Sequence, residues 1–284
     1  MKIARVFPRR TTATPIDELS FFKEPMGIKT MPEFDEVHVS VAFTYDIEKA
    51  EWLAHQWESV GVPVKMGGPA FKEKSGEFVP GLYLKEGYTI TSRGCYNNCW
   101  FCSVPEREGH CLTELPIKDG WIIADDNLLA CSDQHIKDVF KMLKQQPKKP
   151  RFTGGLEAKL LKPWHCDLLK SVKPETMYFA YDTPDDYEPL VESGKMLRNA
   201  GFSENNHSCG CYVLIGYPKD TFEKAQKRLN QTIEAGFMPY AMLYKNEQGD
   251  VDPVWKPFQR EWCRPNIIFS NQTSEEESNQ LSLF

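Results

Sequence analysis

With 284 residues, 41% of them hydrophobic and 26% charged, the chain has enough apolar side chains for a folded core and too few charges for a disordered chain or a coiled coil. No apolar run approaches the roughly 18 residues of a membrane span, and a net charge of −6 speaks against broad neutralisation of phosphates, which takes a basic stripe. The stretch MKIARVFPRRTTATP is basic but lacks the apolar core and small-residue cleavage site of a secretory signal, so a cytoplasmic location with no membrane partner is expected.

In chain order, Val37 to Phe43 (VHVSVAF) reads as a buried strand. A helix is expected over Asp46 to Val60, with Ala50, Leu53, Ala54 and Trp57 on one face, and a second strand over Val62 to Met66. Gly67-Gly68-Pro69 and the polar stretch KEKSGEF then mark a linker or hairpin. From Tyr88 a unit of strand, polar loop and amphipathic helix recurs, its strand starts spaced by roughly 30 residues, the length of a βα unit. The expected strands are Tyr88 to Ser92, Trp121 to Asp125, Arg151 to Gly154, Met177 to Tyr181, Cys211 to Gly216 and Tyr240 to Tyr244. The clearest helices are Asp133 to Gln145, Pro184 to Ala200 and Asp220 to Ala235. The fold class expected is α/β: a partial (β/α)6 TIM-type barrel over residues 81–268, preceded by a small α/β segment over 1–80. An acidic, polar, disordered tail is expected over 269–284.

The nine cysteines are odd in number and clustered: the first 94 residues hold none, whereas Cys95, Cys99 and Cys102 follow the first barrel strand at C-x3-C-x2-C spacing. Metal or redox chemistry fits this better than a disulfide framework. Three thiols along one buried helix face would share the spacing, but Gly94 and Asn97-Asn98 favour a loop. Zinc held by these cysteines with His110 or Cys111 remains an alternative, because short Cys spacings serve both zinc and iron–sulfur sites. Three thiolates on a cubane leave one iron without a protein ligand, and an open metal position suits catalysis at the C-terminal ends of barrel strands.

The segment TSRGCYNNCWFCSVPEREG resembles the radical S-adenosylmethionine superfamily, whose C-x3-C-x-aromatic-C signature is matched by Cys95, Cys99, Phe101 and Cys102. The resemblance covers about Tyr88 to Tyr244. It implies a 4Fe–4S cluster on the three cysteines, with S-adenosylmethionine at the fourth iron, cleaved by one electron from an external flavodoxin- or ferredoxin-type reductant. The products would be methionine and a 5′-deoxyadenosyl radical that takes a hydrogen atom from substrate. On the same resemblance Phe101 packs near adenine, and Asp125, Asp126 and Asn127 stand where the family contacts the methionine amino group, though its usual Gly-Gly-Glu is absent there. On the third strand, Gly154 and Gly155 are candidates to let the backbone approach the cofactor and Glu157 to supply a carboxylate to its amino or ribose groups, a glycine turn and a helix-start Glu being equally consistent, and Asp182 is a candidate for the ribose or for a simple turn. Ile215, Gly216 and Pro218 match the fifth-strand motif that borders adenine, with Asp220 or Thr221 a candidate helix N-cap.

Residues 35–71 are similar to the later part of the cobalamin-binding domain that precedes the barrel in one branch. The D-x-H-x-x-G cobalt motif is missing, and Asp133-Gln-His135 lies within the barrel and lacks the glycine, so no cobalamin is expected. A cysteine-free N-terminal region and an acidic tail count against the methylthiotransferase branch, and Cys263 alone beyond the barrel counts against auxiliary clusters. Cys209 and Cys211 point to one side of the fifth strand, either the lumen, as hydrogen donors or ligands, or the buried core. Cys111, Cys131 and Cys166, and the isolated His110, His135, His165 and His207, are read as structural. The substrate expected is a small molecule, a nucleotide or a peptide. The reading from a different class is a non-catalytic zinc or iron–sulfur module with a structural or sensing role.

Overall fold

The computed structural model describes residues 1–27, 31–202, 208–263 and 268. The expected tail over 269–284 and His207 lie outside the described residues. Among those described, no helix is long and apolar enough to cross a membrane. The chain divides into two compact units, Met1–Lys148 with Glu247–Gly249, and Lys149–Asn246 with Asp250–Phe284.

In the first unit, β1 (Ile3–Val6), β2 (Ser20–Phe21), β3 (Glu36–Ser40) and β4 (Val64–Gly67) form a parallel sheet of order β2-β1-β3-β4. Alternation buries Ala4 and Val6 of β1 and Val37 and Val39 of β3. Helix α1 (Ile47–Glu58) lays Ala50, Leu53 and Trp57 against this sheet, and the Trp57 indole donates to the Lys23 carbonyl at 3.0 Å. The expected helix and both expected strands are present here, each within a few residues. The short β1, absent from the sequence reading, lies between β2 and β3.

The same unit continues through β5 (Tyr88–Thr89), β6 (Ser92–Arg93), α2 (Val104–Glu108), β7 (Thr113–Glu114), β8 (Ile122–Ile123) and α3 (Asp133–Leu143). β5 pairs in parallel with β8, and β6 pairs antiparallel with β7. Ser132 caps α3 by accepting from the His135 N–H, and Ile136, Val139, Phe140 and Leu143 form its buried stripe. Within this unit the stretch beyond β4 is tied back to its neighbours. Arg5 donates to the carbonyls of Gly81 (3.1 Å) and Leu82 (3.3 Å), and Ser75 donates to Glu108 at 2.6 Å.

The second unit sets β9 (Arg151–Leu156), β10 (Thr176–Ala180), β11 (Cys209–Ile215) and β12 (Met238–Leu243) side by side, parallel and in chain order. Helices α4 (Pro163–Val172), α5 (Tyr187–Asn199), α6 (Phe222–Glu234) and α7 (Trp255–Glu261) alternate with or follow them. The molecule is thus a mixed α/β protein with parallel sheets. β9 continues to Leu156, so Gly154 and Gly155 lie within a strand, where a turn was the other reading; the β9–β10 register shifts between Met177 and Phe179.

Candidate functional site

The cysteine loop is closed at its base by the β6–β7 pair, with Ser92 opposite Glu114 and Arg93 opposite Thr113. Gly94 then turns at φ +86°, and a Cβ there would lie 2.1 Å from the Cys111 carbonyl oxygen, so glycine is required on both counts. Cys95, Cys99 and Cys102 are half-buried on irregular backbone, outside any disulfide, and joined by a turn in which the Cys102 N–H donates to the Cys99 carbonyl at 3.0 Å. They do not share a helix face.

Three adjacent residues after β8 hold this loop in three different ways. Asp125, 2% exposed, faces inward: one carboxylate oxygen accepts from the Thr91 N–H at 2.6 Å, the other from the Thr91 hydroxyl at 2.6 Å and the Ser92 hydroxyl at 2.9 Å. Burial raises its pKa against those hydrogen bonds. Asp125 therefore positions the strand leading to Cys95. Asp126 accepts from the Gly94 N–H (2.8 Å) and from Arg107 of α2 (3.0 Å), pinning both flanks of the loop. The Asn127 side-chain amide donates to the Cys95 sulfur at 3.4 Å, and the Asn97 N–H donates to the same sulfur at 3.4 Å. Burial lifts the Cys102 thiol above its ordinary value, with Cys95 and Asp126 adding to the rise. Phe101 meets Trp100 edge-on at 5.4 Å, while Tyr96 and Trp100 are exposed.

In the second unit, the other sequence candidates lie at or near the carboxyl ends of parallel strands. Glu157 follows β9 directly. Asp182, after β10, accepts from the Leu214 N–H of β11 at 2.9 Å. Ile215 is fully buried, and Gly216 (φ +70°) packs so closely on Trp255 that a Cβ would come within 2.9 Å of its ring. Pro218 lies in the following turn. Thr221 is the N-cap of α6, accepting from the Lys224 N–H. Asp220 instead accepts from the Gly216 N–H at 2.9 Å and pairs with Arg228 at 2.9 Å. Cys209 and Cys211 lie on the buried face of β11, and the Cys211 thiol meets Thr232 of α6, so their side is the core and not a lumen.

Burial pushes the Asp182 carboxyl up to about 6, against the Leu214 N–H, which lowers it, and with Asp186 nearby adding to the rise. A folded-state value above the unfolded one means that stability is fullest below about pH 4 and falls as pH rises through 6. Asp182→Asn is therefore expected to exceed the wild type in unfolding free energy by up to about 3 kcal/mol at pH 7, the gain vanishing near pH 4. Urea titrations of both proteins at the two pH values check this.

Sequence reasoning missed Thr91, Ser92, Arg107 and Glu108 as supports of the loop. The Glu108 side chain is buried, accepts from Ser75 (2.6 Å) and Arg107 (2.9 Å), and lies 3.5 Å from Arg93. These hydrogen bonds and charges hold its carboxyl below the usual range although burial opposes them. Ser75–Glu108 links positions 33 apart; no local pattern announces such a pair.

Among the described residues, no group of three His, Cys, Asp or Glu side chains is placed to hold a metal ion, the convergence a mononuclear zinc site asks for. A cubane asks for something else: each thiolate binds its own corner iron, so three sulfurs on one loop with N–H donors around them suit it. All three donors here are thiols, and Cys95 has two such N–H partners.

No family model and no curated protein matches the chain. Among solved structures, the fold is similar to that of the radical S-adenosylmethionine methyltransferase TsrM from Kitasatospora setae, determined with cobalamin and a [4Fe–4S] cluster bound. The TM-score is 0.60 at 11% sequence identity, over 84% of this chain and 74% of that one. The class defined is a mixed α/β fold shared with a radical S-adenosylmethionine enzyme.

Proposed function

We propose that this protein is a radical S-adenosylmethionine enzyme holding one 4Fe–4S cluster on Cys95, Cys99 and Cys102. The observation that carries the reading is the cysteine loop itself: an all-thiol donor set after parallel strand β5, pinned by Asp125 and Asp126, in a fold shared with an enzyme of that class. When bound, the cluster supplies the electron that cleaves S-adenosylmethionine reductively, and the resulting 5′-deoxyadenosyl group takes a hydrogen atom from substrate.

The chain's own residues orient and shelter. Asp125 and Asp126 set the path of Ser92 to Cys95, and Asn127 donates to the Cys95 sulfur, which favours the reduced, more negative cluster. Phe101 offers an aromatic wall for adenine. Gly155 in β9 leaves room for a cofactor to approach the backbone, and Glu157 and Asp182 offer carboxylates to amino and ribose groups. Ile215, Gly216 and Pro218 border the adenine at the end of β11. On this reading β5, β8 and β9 to β12 are the strands of a partial (β/α)6 barrel. The electron comes from an external flavodoxin- or ferredoxin-type protein in the cytoplasm, and cobalamin is not required. The substrate is a small molecule, a nucleotide or a peptide.

The test is anaerobic reconstitution with iron and sulfide, followed by reduction and electron paramagnetic resonance. A near-axial reduced-cluster signal that shifts when S-adenosylmethionine is added is expected. Colourless protein with stoichiometric zinc would establish the non-catalytic metal module instead.

A further inference from the structure

None of the residues assigned above to the cluster or to S-adenosylmethionine lines a cavity of about 620 Å³ in the first unit. It lies at the carboxyl ends of β1, β3 and β4, lined there by Phe7, Arg9, Phe43 and Gly68. In the order β2-β1-β3-β4 the winding reverses between β1 and β3, and at such switch points open parallel sheets bind ligands. The size is that of a small-molecule site.

The lining points to a class of ligand. Phe43, Met66, Val79 and Tyr83, each between 38% and 47% exposed, all line this one cavity beside Phe7 and Phe78. Large apolar groups left exposed together in a concavity mark a binding surface, and the rings suit an aromatic body. Arg93, also on the wall, is partly exposed and meets Glu108 only at a long 3.5 Å through Nη1, so its guanidinium has N–H groups to spare for an acidic group. A phosphate at the α1 end is disfavoured: Asp46 is buried there in a two-bond pair with Arg9, both at 2.8 Å, and would repel it. His38 is not available as a metal ligand in this arrangement, its ring nitrogens engaging Tyr83 (2.6 Å) and Glu36 (3.0 Å).

We infer that this cavity binds an aromatic small molecule carrying one acidic group, held between the phenylalanines and Arg93. Arg93 stands two residues before Cys95, and Ser75 on the same wall donates to Glu108, so the ligand lies against the supports of the cysteine loop. The inference deepens the proposed function by naming a substrate class and rests on that reading only for the molecule's fate. Binding itself is independent of the cluster.

The probe is 8-anilinonaphthalene-1-sulfonate, titrated into the full-length protein before and after cluster reconstitution and followed by fluorescence and thermal shift. One probe per chain and a raised Tm are expected, since binding to the native state alone stabilises it. Ala42→Trp, at an exposed position on the cavity wall, should weaken binding by at least about tenfold. Arg93→Met should weaken the sulfonate by about tenfold while leaving the uncharged N-phenyl-1-naphthylamine within about twofold. Probe binding unchanged by Ala42→Trp, equal loss of both probes in Arg93→Met, or flavin mononucleotide or hydroxocobalamin binding that Ala42→Trp abolishes, would overturn the inference. Probe binding with no cluster signal would refute the enzyme and leave the site standing.

Discussion

Replacing Cys99 with alanine is expected to abolish iron retention and cofactor cleavage together while leaving the fold intact. Cys99 is half-buried on irregular backbone, and its thiol is not part of either unit's core. On the proposed reading, truncation there removes one of three iron ligands, and a cubane held by two thiolates exposes two irons to solvent and is lost. The matched control is Cys131→Ala. Cys131 is buried beside Ser92, and burial pushes its thiol up to about 12, which marks an inert core group. That variant should keep its iron and its activity at a cost of about 1 kcal/mol in stability. Iron and sulfide content, cofactor cleavage and circular dichroism on the two proteins separate ligand from filler.

Asp125→Ala should be the most destabilising single change near the site. The carboxylate is buried and satisfies three donors at once: the Thr91 N–H, the Thr91 hydroxyl and the Ser92 hydroxyl. Removing it strands those donors and leaves a cavity, which together cost about 3–5 kcal/mol. The Thr91–Ser92 segment that mounts the cysteine loop should loosen as well, so iron content is expected to fall with stability. Asp125→Asn keeps an oxygen for the Thr91 N–H, and the two hydroxyls can rotate to accept from its amide, so it should recover more than half of the loss. Denaturant unfolding and iron analysis of both variants check this. If Asp125→Ala were as stable as the wild type, the inward orientation of this carboxylate would be wrong.

Much of the architecture was legible because it is periodic. The stripes of α1, α3 and α6 and the alternating β10 and β11 announce themselves in the chain, and the cysteine spacing with Gly94 and Asn97-Asn98 indicated a loop. β1 carries no local signal, because it is four residues long, runs into Pro8 and two arginines, and depends on β3, about thirty residues away, for its pairing. Gly154 and Gly155 left a glycine turn and a strand that admits a cofactor equally open, and they lie inside β9, whose pairing with β10 is irregular. The period of two put Cys209 and Cys211 on one side of β11, but only the packing of α6 determines which side is buried.

The site shows the same limit at finer grain. Asp125, Asp126 and Asn127 are consecutive, and the chain alone does not separate them; the fold turns the first inward to Thr91, the second to Gly94 and Arg107, and the third to Cys95. Those partners are 19 to 34 residues away, set by how β5 pairs with β8. Side-chain direction at a strand end follows from such pairing, and no local pattern encodes it.

The most direct test of the account is to incubate anaerobically reconstituted protein with S-adenosylmethionine and dithionite and to measure 5′-deoxyadenosine by mass spectrometry. The account predicts its formation in wild-type and Cys131→Ala protein and its absence in Cys99→Ala. Iron-loaded wild-type protein that leaves S-adenosylmethionine intact under these conditions would contradict it.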